Sequence, residues 1–122
     1  EPTLGAMPDG DGHVVTDDTG ASVLDIRYAA SQPWILHQVR GEGQGHLGWW
    51  SERLEARRPA WLVGGLCERG RVPVVMATYL TCAGERATEP SVELTEHDVV
   101  VRWSHGRRAR EVRLDRPPRP EP

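Results

Sequence analysis

Apolar and polar side chains alternate along much of the chain, and this pattern predicts β-strands. Near the C-terminus, Val99, Val101 and Trp103 alternate with Val100 and Arg102. A period of two is expected where successive side chains point to opposite faces of a sheet. The flanking segments SVELT and AREVRLD alternate in the same way. The three segments therefore predict an antiparallel meander in which Val99, Val101 and Trp103 share one buried face.

Other parts of the chain carry similar segments, separated by turn-rich sequences such as ERGR, TEHD and SHGRR. They are SVLDIRY, WILHQVR, AWLVGGLC and VPVVMATYLTC, and the last two are expected to pair as a hairpin about ERGR. SERLEARR has good helix propensity, but eight residues are too few for a stable isolated helix, so a helical turn or an ordered loop is predicted there. The sequence thus predicts an all-β fold, a two-layer antiparallel β-sandwich of about seven to nine strands.

The length of 122 residues fits one domain. We expect a single β-sandwich domain over residues 1–116 and a Pro-rich disordered tail over residues 117–122, where no large apolar side chain is present to be buried. Because the chain begins at Glu1 without an initiator Met, we expect it to be processed or to be a piece of a longer protein. No apolar run approaches the roughly 20 residues of a membrane-spanning helix, so no membrane partner is expected.

Charge is unevenly distributed, although the formal net charge is only -3. Residues 1–25 carry acidic side chains and no Arg, whereas residues 102–119 carry seven Arg against Glu111 and Asp115. Two solvated ends of opposite sign explain this distribution, and a polyanion-binding edge at the Arg-rich end is the alternative. The net charge gives no reason to expect a nucleic-acid partner.

The chain contains two cysteines, Cys67 and Cys82. In the expected hairpin Cys67 lies near the turn and Cys82 far from it, so the two sulfurs are too far apart for a disulfide. We therefore expect buried free thiols. No spacing of Cys and His resembles a zinc site, and neither a metal nor another cofactor is predicted.

No sequence motif assembles a catalytic site. The chain has five His, but it lacks the G-x-S-x-G elbow, the H-E-x-x-H zinc motif and a phosphate-binding glycine loop. The glycines of GEGQGHLG are interpreted as a flexible loop, because no long helix follows them to hold a phosphate at its N-terminus. We assign no catalytic residue.

The five tryptophans fall into two groups. Trp34, Trp61 and Trp103 lie near the ends of predicted strands, where a large ring closes the core of a sandwich, and we expect them to pack there. Trp49 and Trp50 are adjacent. Neighbours in an extended chain point to opposite faces, so one of these two rings can pack in the core while the other does not.

An exposed ring of Trp49 or Trp50 beside Arg53 and Arg57 would suit an acidic sugar. An aromatic face stacks on the sugar ring, and a guanidinium pairs with the sugar carboxylate. We predict Trp49, Trp50, Arg53 and Arg57 as a substrate-binding group. The alternative is that both rings simply pack against the core.

The segment GHLGWWSERLEARRPAWLVGGLCERGRVPVVMATYLTC, residues 45–82, resembles the closing region of heparinase II/III-like polysaccharide lyases. That region has the form Gly-Trp-aromatic-Ser, several residues, Arg-x-Pro, and two apolar strands joined by a short turn. The matching residues here are Gly48, Trp49, Trp50, Ser51, Arg58 and Pro59, with the two strands that end at Cys67 and Cys82. With the preceding DGDGHVVTDDTGASVLDIRYAASQPW, the resemblance extends over roughly residues 10–83. It departs from the pattern at Leu54-Glu55, where many relatives have Tyr-Gly, and at Arg58, which directly precedes Pro59.

The resemblance implies a function for the chain as part of a larger enzyme. Such lyases combine an N-terminal α/α toroid with β-sandwich modules and cleave uronate-containing polysaccharides by β-elimination. Their catalytic residues belong to the toroid and to an earlier part of the sandwich, so none is transferred to this chain. The resemblance therefore implies a non-catalytic C-terminal β-module with structural and accessory glycan-binding roles. Its implied partners are the toroid and an acidic polysaccharide, in an extracellular or periplasmic location.

Two other functions stay open. The chain would also fit a free-standing carbohydrate-binding β-sandwich. It would equally fit a protein-interaction domain whose Arg-rich final hairpin and Pro-rich tail contact an acidic partner. An upstream reading frame rich in helix would favour the lyase module, whereas loss of a protein partner on removal of the tail would favour the interaction domain.

Overall fold

The structure, a computed structural model, describes residues 4–41, 48–53, 56–67, 71–82 and 84–117, and at positions 50, 52, 53, 56 and 57 it describes the backbone only. Within these ranges the chain forms strands and no helix. The strands are β1 (Gly5–Asp9), β2 (Gly12–Thr16), β3 (Ser22–Ala30), β4 (Ile35–Arg40), β5 (Trp49–Arg53), β6 (Ala56–Pro59), β7 (Trp61–Leu66), β8 (Met76–Cys82), β9 (Ala87–Leu94), β10 (Asp98–His105) and β11 (Arg108–Asp115). The predicted all-β fold is confirmed, and these strands outnumber the expected seven to nine.

The first sheet has the strand order β1-β2-β3-β8, and all of its pairs are antiparallel. β3 lies between β2 and β8, so strands pair with it along both edges, and its residues 25–29 are buried. The register of β3 with β8 runs from Leu24 opposite Cys82 to Ala30 opposite Met76. The turn between β1 and β2 contains Gly10, whose φ of 60° lies in the left-handed region that glycine adopts without a steric penalty.

The second sheet has the order β11-β10-β9 and is the meander predicted from the sequence. Val99, Val101 and Trp103 share one face, as expected, but all three are only half-buried. Val100, on the opposite face, is the buried residue, with 1% of its surface exposed. Its neighbours on that face are long charged side chains that pair with one another, and the alkyl parts of such side chains cover apolar surface. The shared face is therefore confirmed, but the most buried residue of β10 lies on the opposite face.

The strands β4 to β7 form two antiparallel pairs, one following the other, and the two pairs together are here called the β4–β7 ribbon. β4 pairs with β7 and β5 pairs with β6, both antiparallel. Gly48 joins the two pairs, because its carbonyl oxygen accepts hydrogen bonds from Gly41 N and Ala60 N, each at 2.7 Å. The helical turn or loop predicted for SERLEARR is wrong, because β5 and β6 occupy this segment in the described residues.

The expected hairpin between AWLVGGLC and VPVVMATYLTC does not form. The strand in the first segment, β7, pairs with β4, and the strand in the second, β8, pairs with β3. The chain that leads into β8 is instead tied to the end of β3. Arg71 N donates to Gln32 Oε1 at 2.6 Å, and Ser31 N donates to Val75 O at 2.9 Å.

The sheets pack against one another as in a β-sandwich. On one face of the first sheet, Trp34, which precedes β4, packs edge-on against Tyr28 with ring centroids 5.7 Å apart. Tyr79 points to the opposite face. There its hydroxyl donates to Arg102 O at 3.0 Å and its ring lies 5.5 Å from the ring of Trp103. The first sheet is therefore contacted on both faces, by the ribbon side and by the second sheet.

Both cysteines are free thiols, as predicted. Cys67 follows β7 and is half-buried, whereas Cys82 ends β8 and is exposed. The prediction of burial is therefore wrong for Cys82. The two cysteines are separated because β7 and β8 belong to different sheets, and not by their positions along the predicted hairpin.

Candidate functional site

The structure places the four predicted site residues on one hairpin. Trp49, Trp50 and Arg53 lie in β5, and Arg57 lies in β6, its antiparallel partner. In the register Trp50 is opposite Arg58. The side chains of Trp50, Arg53 and Arg57 lie outside the described residues. The backbone thus brings the four positions together at the end of the β4–β7 ribbon.

Trp49 packs at the joint of the ribbon and is half-buried. It is opposite Pro59 in the register, and its Cη2 lies 3.5 Å from the position that a Cβ on Gly41 would take. Gly41 and Gly48 both have positive φ, 60° and 75°, so the bend that brings the ring here requires glycine. Trp49 therefore contacts the body of the ribbon.

A second Trp and Arg pair lies next along the same ribbon. Arg40 is opposite Trp61 in the register, and its guanidinium carbon lies 5.7 Å from the centroid of the indole. A cation–π contact at an exposed site is worth about 0.5–1 kcal/mol. Trp61 is 38% exposed, so the prediction that it packs in the core is wrong. Trp34 and Trp103, by contrast, are half-buried and pack against tyrosine rings.

The sequence pattern did not predict the contact between Arg40 and Trp61. The contact depends on β4 pairing with β7, and the expected partner of β7 was β8. The signal that favours the observed pairing is the set of glycines after β4 and before β5, Gly41 and Gly48, which join the two halves of the ribbon.

A cluster of charged side chains lies on the Tyr79 face of the first sheet. Arg27, only 3% exposed, donates from Nε and Nη2 to the two carboxylate oxygens of Asp25 at 2.8 and 2.9 Å. It also donates to the backbone oxygen of Asp9 and to Asp11 Oδ1. Arg86, just before β9, donates to Asp25 at 2.9 Å and to Asp9 at 2.6 Å.

These contacts fix the charge states within the cluster. Hydrogen bonds from Arg27 lower the pKa of Asp25, although burial acts in the opposite direction. The hydrogen bond from Arg86 lowers the pKa of Asp9. The hydrogen bond to Asp25 raises the pKa of Arg27. Carboxylates that stay ionised and guanidiniums that stay charged act as a structural link, and neither group is positioned as an acid or base for catalysis.

The opposite face of the first sheet carries a buried imidazole. His13 has none of its surface exposed, and its Nδ1 lies 3.1 Å from the hydroxyl oxygen of Tyr28. Among the described residues, no hydrogen-bond partner lies at bonding distance from its Nε2. Burial lowers the pKa of His13, and the charge of Arg27 acts in the same direction, while an interaction with the Gln38 side chain opposes the shift. The ring is therefore held neutral and out of reach of a substrate.

An apolar groove of about 380 Å³ lies between the first sheet and β7. Its lining consists of Ile26, Tyr28, Val63, Gly64, Gly65, Met76, Thr78 and Leu80. No charged side chain is among these residues. The groove therefore lacks the cationic groups that an acidic sugar requires.

Within the described ranges, no group of three or more His, Cys, Asp or Glu side chains is placed to hold a metal ion. The same part of the chain contains no helix long and apolar enough to cross a membrane. No protein-family model, no curated protein and no solved structure matches the chain.

Proposed function

We propose that this chain is a non-catalytic C-terminal β-module of a heparinase II/III-like polysaccharide lyase, with an accessory site for an acidic glycan on its β4–β7 ribbon. The sequence resemblance covers this ribbon. One structural observation supports the site: a Trp and an Arg are cross-strand partners at two positions of the ribbon, Arg40 with Trp61 and Trp50 with Arg58.

The pairing supplies the two contacts that recognise a uronate. An indole offers an apolar face to the C–H groups of the sugar ring, and a guanidinium offers N–H donors to the carboxylate. Arg40 and Trp61 are both exposed, and their side chains are already adjacent. A guanidinium has five N–H donors, so a contact with one ring leaves donors for a ligand.

The non-catalytic part of the proposal rests on the lack of a catalytic sequence motif and on the burial of one His–Tyr pair. Elimination needs a base that can reach the sugar proton. The pair of His13 and Tyr28 is buried, with 0% and 5% of each residue exposed. In the parent enzyme the catalytic groups would come from the α/α toroid, and this module would support it and hold a distant part of the polysaccharide.

Titration of the whole chain with acidic oligosaccharides tests the proposal. Heparin and hyaluronan oligosaccharides should bind with millimolar affinity that weakens as salt is added, because exposed charge contacts contribute only about 0–1 kcal/mol each. Arg40→Ala and Arg53→Ala should each weaken binding by up to about fivefold. Since five tryptophans contribute to fluorescence, indole N–H resonances in NMR spectra would identify the ring that responds.

Controls separate this site from general charge attraction. Arg108→Ala removes an exposed Arg of β11, away from the ribbon, and should leave the affinity unchanged. Neutral oligosaccharides should bind more weakly than acidic ones. Absence of binding at millimolar ligand, or equal loss with Arg108→Ala, would contradict the ribbon site. Sustained formation of unsaturated uronate products by the chain alone, read from ultraviolet absorbance, would contradict the non-catalytic assignment.

The free-standing carbohydrate-binding module predicts the same binding data, and the reading frame upstream of Glu1 distinguishes it from the lyase module. The interaction domain through the final hairpin is less favoured by the geometry. Two of its arginines, Arg102 and Arg113, already pair with carboxylates of the same sheet. Their charge is therefore partly neutralised within the chain.

A further inference from the structure

β11 is an edge strand with an uncovered side. In the described part of the chain it pairs with β10 alone, and all of its residues are exposed. Its apolar residues, Val112 and Leu114, are 43% and 55% exposed. An edge strand presents backbone N–H and C=O groups that another strand can use.

The face of the second sheet that carries Val99 and Val101 is also apolar on the edge strand, at Val112 and Leu114. In the register Leu114 is opposite Val99, and Val112 is opposite Val101. Val99 and Val101 are half-buried. A strand added beside β11 would extend this face if it placed apolar side chains on the same side.

The other face carries a ladder of alternating charge. Arg102 of β10 pairs with Glu93 of β9 at 3.0 Å and with Glu111 of β11 at 2.8 Å. Arg113 of β11 pairs with Asp98 of β10 at 2.9 Å. On the edge strand β11 the ladder therefore ends in one negative side chain, Glu111, and one positive side chain, Arg113, two positions apart.

We propose that two copies of this chain associate through β11, antiparallel about a two-fold axis at Val112. In this register Val112 faces Val112 of the second copy, and Glu111 of each copy faces Arg113 of the other. Opposite charges directly across a strand pair stabilise it. The charge ladder continues across the axis and the apolar face continues at Val112, while Leu114 of each copy faces Arg110 of the other. One surface serves both copies, as an isologous interface requires.

Other registers lack this complementarity. A shift by one residue places the apolar face of one copy beside the charged face of the other. Two registers keep the faces matched and pair seven of the eight residues of β11. One is the proposed register, and the other places Glu111 opposite Glu111, where like charges destabilise the pair. Charged edge strands usually oppose association, but the order of signs here is self-complementary.

Sedimentation equilibrium of the full chain tests the proposal at concentrations up to about 0.5 mM, since one edge contact belongs to the weak class of interfaces. In a dimer of Arg113→Glu, the new carboxylate of each copy faces Glu111 of the other copy. In a dimer of Glu111→Arg, the new guanidinium of each copy faces Arg113 of the other copy. Each variant alone should have a dimer Kd at least about tenfold higher than that of the native chain. An equimolar mixture of the two should form a 1:1 heterodimer, because every opposed pair then regains opposite charges.

Arg107→Glu is the matched control, since it makes the same charge change in the turn between β10 and β11, outside the paired residues. It should leave the dimer Kd unchanged. The native chain supplies a test without substitution, because its dimer Kd should rise with added salt. A native monomer throughout this range, a dimer that Arg113→Glu leaves intact, an equal loss with Arg107→Glu, or a mixture no more associated than its components would each overturn the proposal.

Discussion

At the scale of single residues, His13 shows how burial selects a protonation state. Its ring is fully buried against the edge of the Tyr28 ring, with centroids 5.7 Å apart. The lowered pKa means that the folded chain holds the neutral imidazole, whereas the unfolded chain has the ordinary value of 6.5. Between the two values the unfolded state binds more protons than the folded state. The contribution of His13 to stability is therefore complete at pH values above the ordinary pKa of histidine. It is lost as the pH falls from there towards the lowered pKa of the folded state.

His13→Gln should remove this component of the pH dependence. We expect the free energy of unfolding of the native chain to fall between about pH 7 and pH 5, and the fall to be smaller in His13→Gln, which does not titrate. Urea denaturation at a series of pH values measures the difference. The control is His97→Gln, the same substitution at an exposed histidine in the turn before β10, and its slope should exceed that of His13→Gln. Equal slopes in His13→Gln and in the native chain would contradict this role.

At the scale of elements, two strand glycines have opposite surroundings. A Cβ on Gly12 of β2 would lie 1.9 Å from the carbonyl oxygen of Ile26 on the paired strand β3. A Cβ on Gly64 of β7 would meet no atom within 4 Å. The first glycine therefore allows β2 to approach β3, whereas the second leaves open space beside the apolar groove.

Gly12→Ala should be destabilising and Gly64→Ala close to neutral. Because backbone cannot move away from the new methyl group as a flexible side chain can, we expect Gly12→Ala to reduce the free energy of unfolding by about 2–3 kcal/mol. Gly64→Ala should change it by less than about 1 kcal/mol, with a gain from the stiffer unfolded chain. Chemical denaturation of the two variants gives the comparison. A similar loss in both would show that the close approach at Gly12 is not the cause.

At the scale of the whole molecule, the charged cluster links strands that are distant in sequence. Asp9 ends β1, Asp25 and Arg27 lie in β3, and Arg86 precedes β9. The cluster therefore connects the first sheet to the start of the second. Asp25 is 5% exposed and accepts hydrogen bonds from both guanidiniums. Removal of its charge would leave Arg27 buried without its main partner.

Asp25→Asn should consequently cost about 3 kcal/mol of stability, as expected when one partner of a buried ion pair is removed. Glu93→Gln breaks an ion pair whose partners are 43% and 56% exposed. That substitution should cost less than about 1 kcal/mol. Thermal and urea unfolding of both variants measure the contrast. Equal losses would mean that the buried cluster contributes no more than an exposed pair.

Much of the strand content was predictable because alternation is a local property. β3, β4 and β7 to β11 all lie within or overlap predicted segments. The group of Trp49, Trp50, Arg53 and Arg57 was predicted from adjacency in the sequence alone, and part of it was expected in a helical turn or loop. The antiparallel pairing of β5 with β6, which carries these positions, was not predicted. The pairing of Arg40 with Trp61 was not predicted, because it requires the register of two strands that are distant along the chain.

The sequence by itself determined the all-β class, the shared face of Val99, Val101 and Trp103, and the meander of the second sheet. Only the tertiary structure decided that β7 pairs with β4, and that Val100 is the buried residue of β10. The physical reason is that alternation depends on one strand alone. The choice of partner strand and the burial of a face depend on which other strands and side chains come to lie beside it.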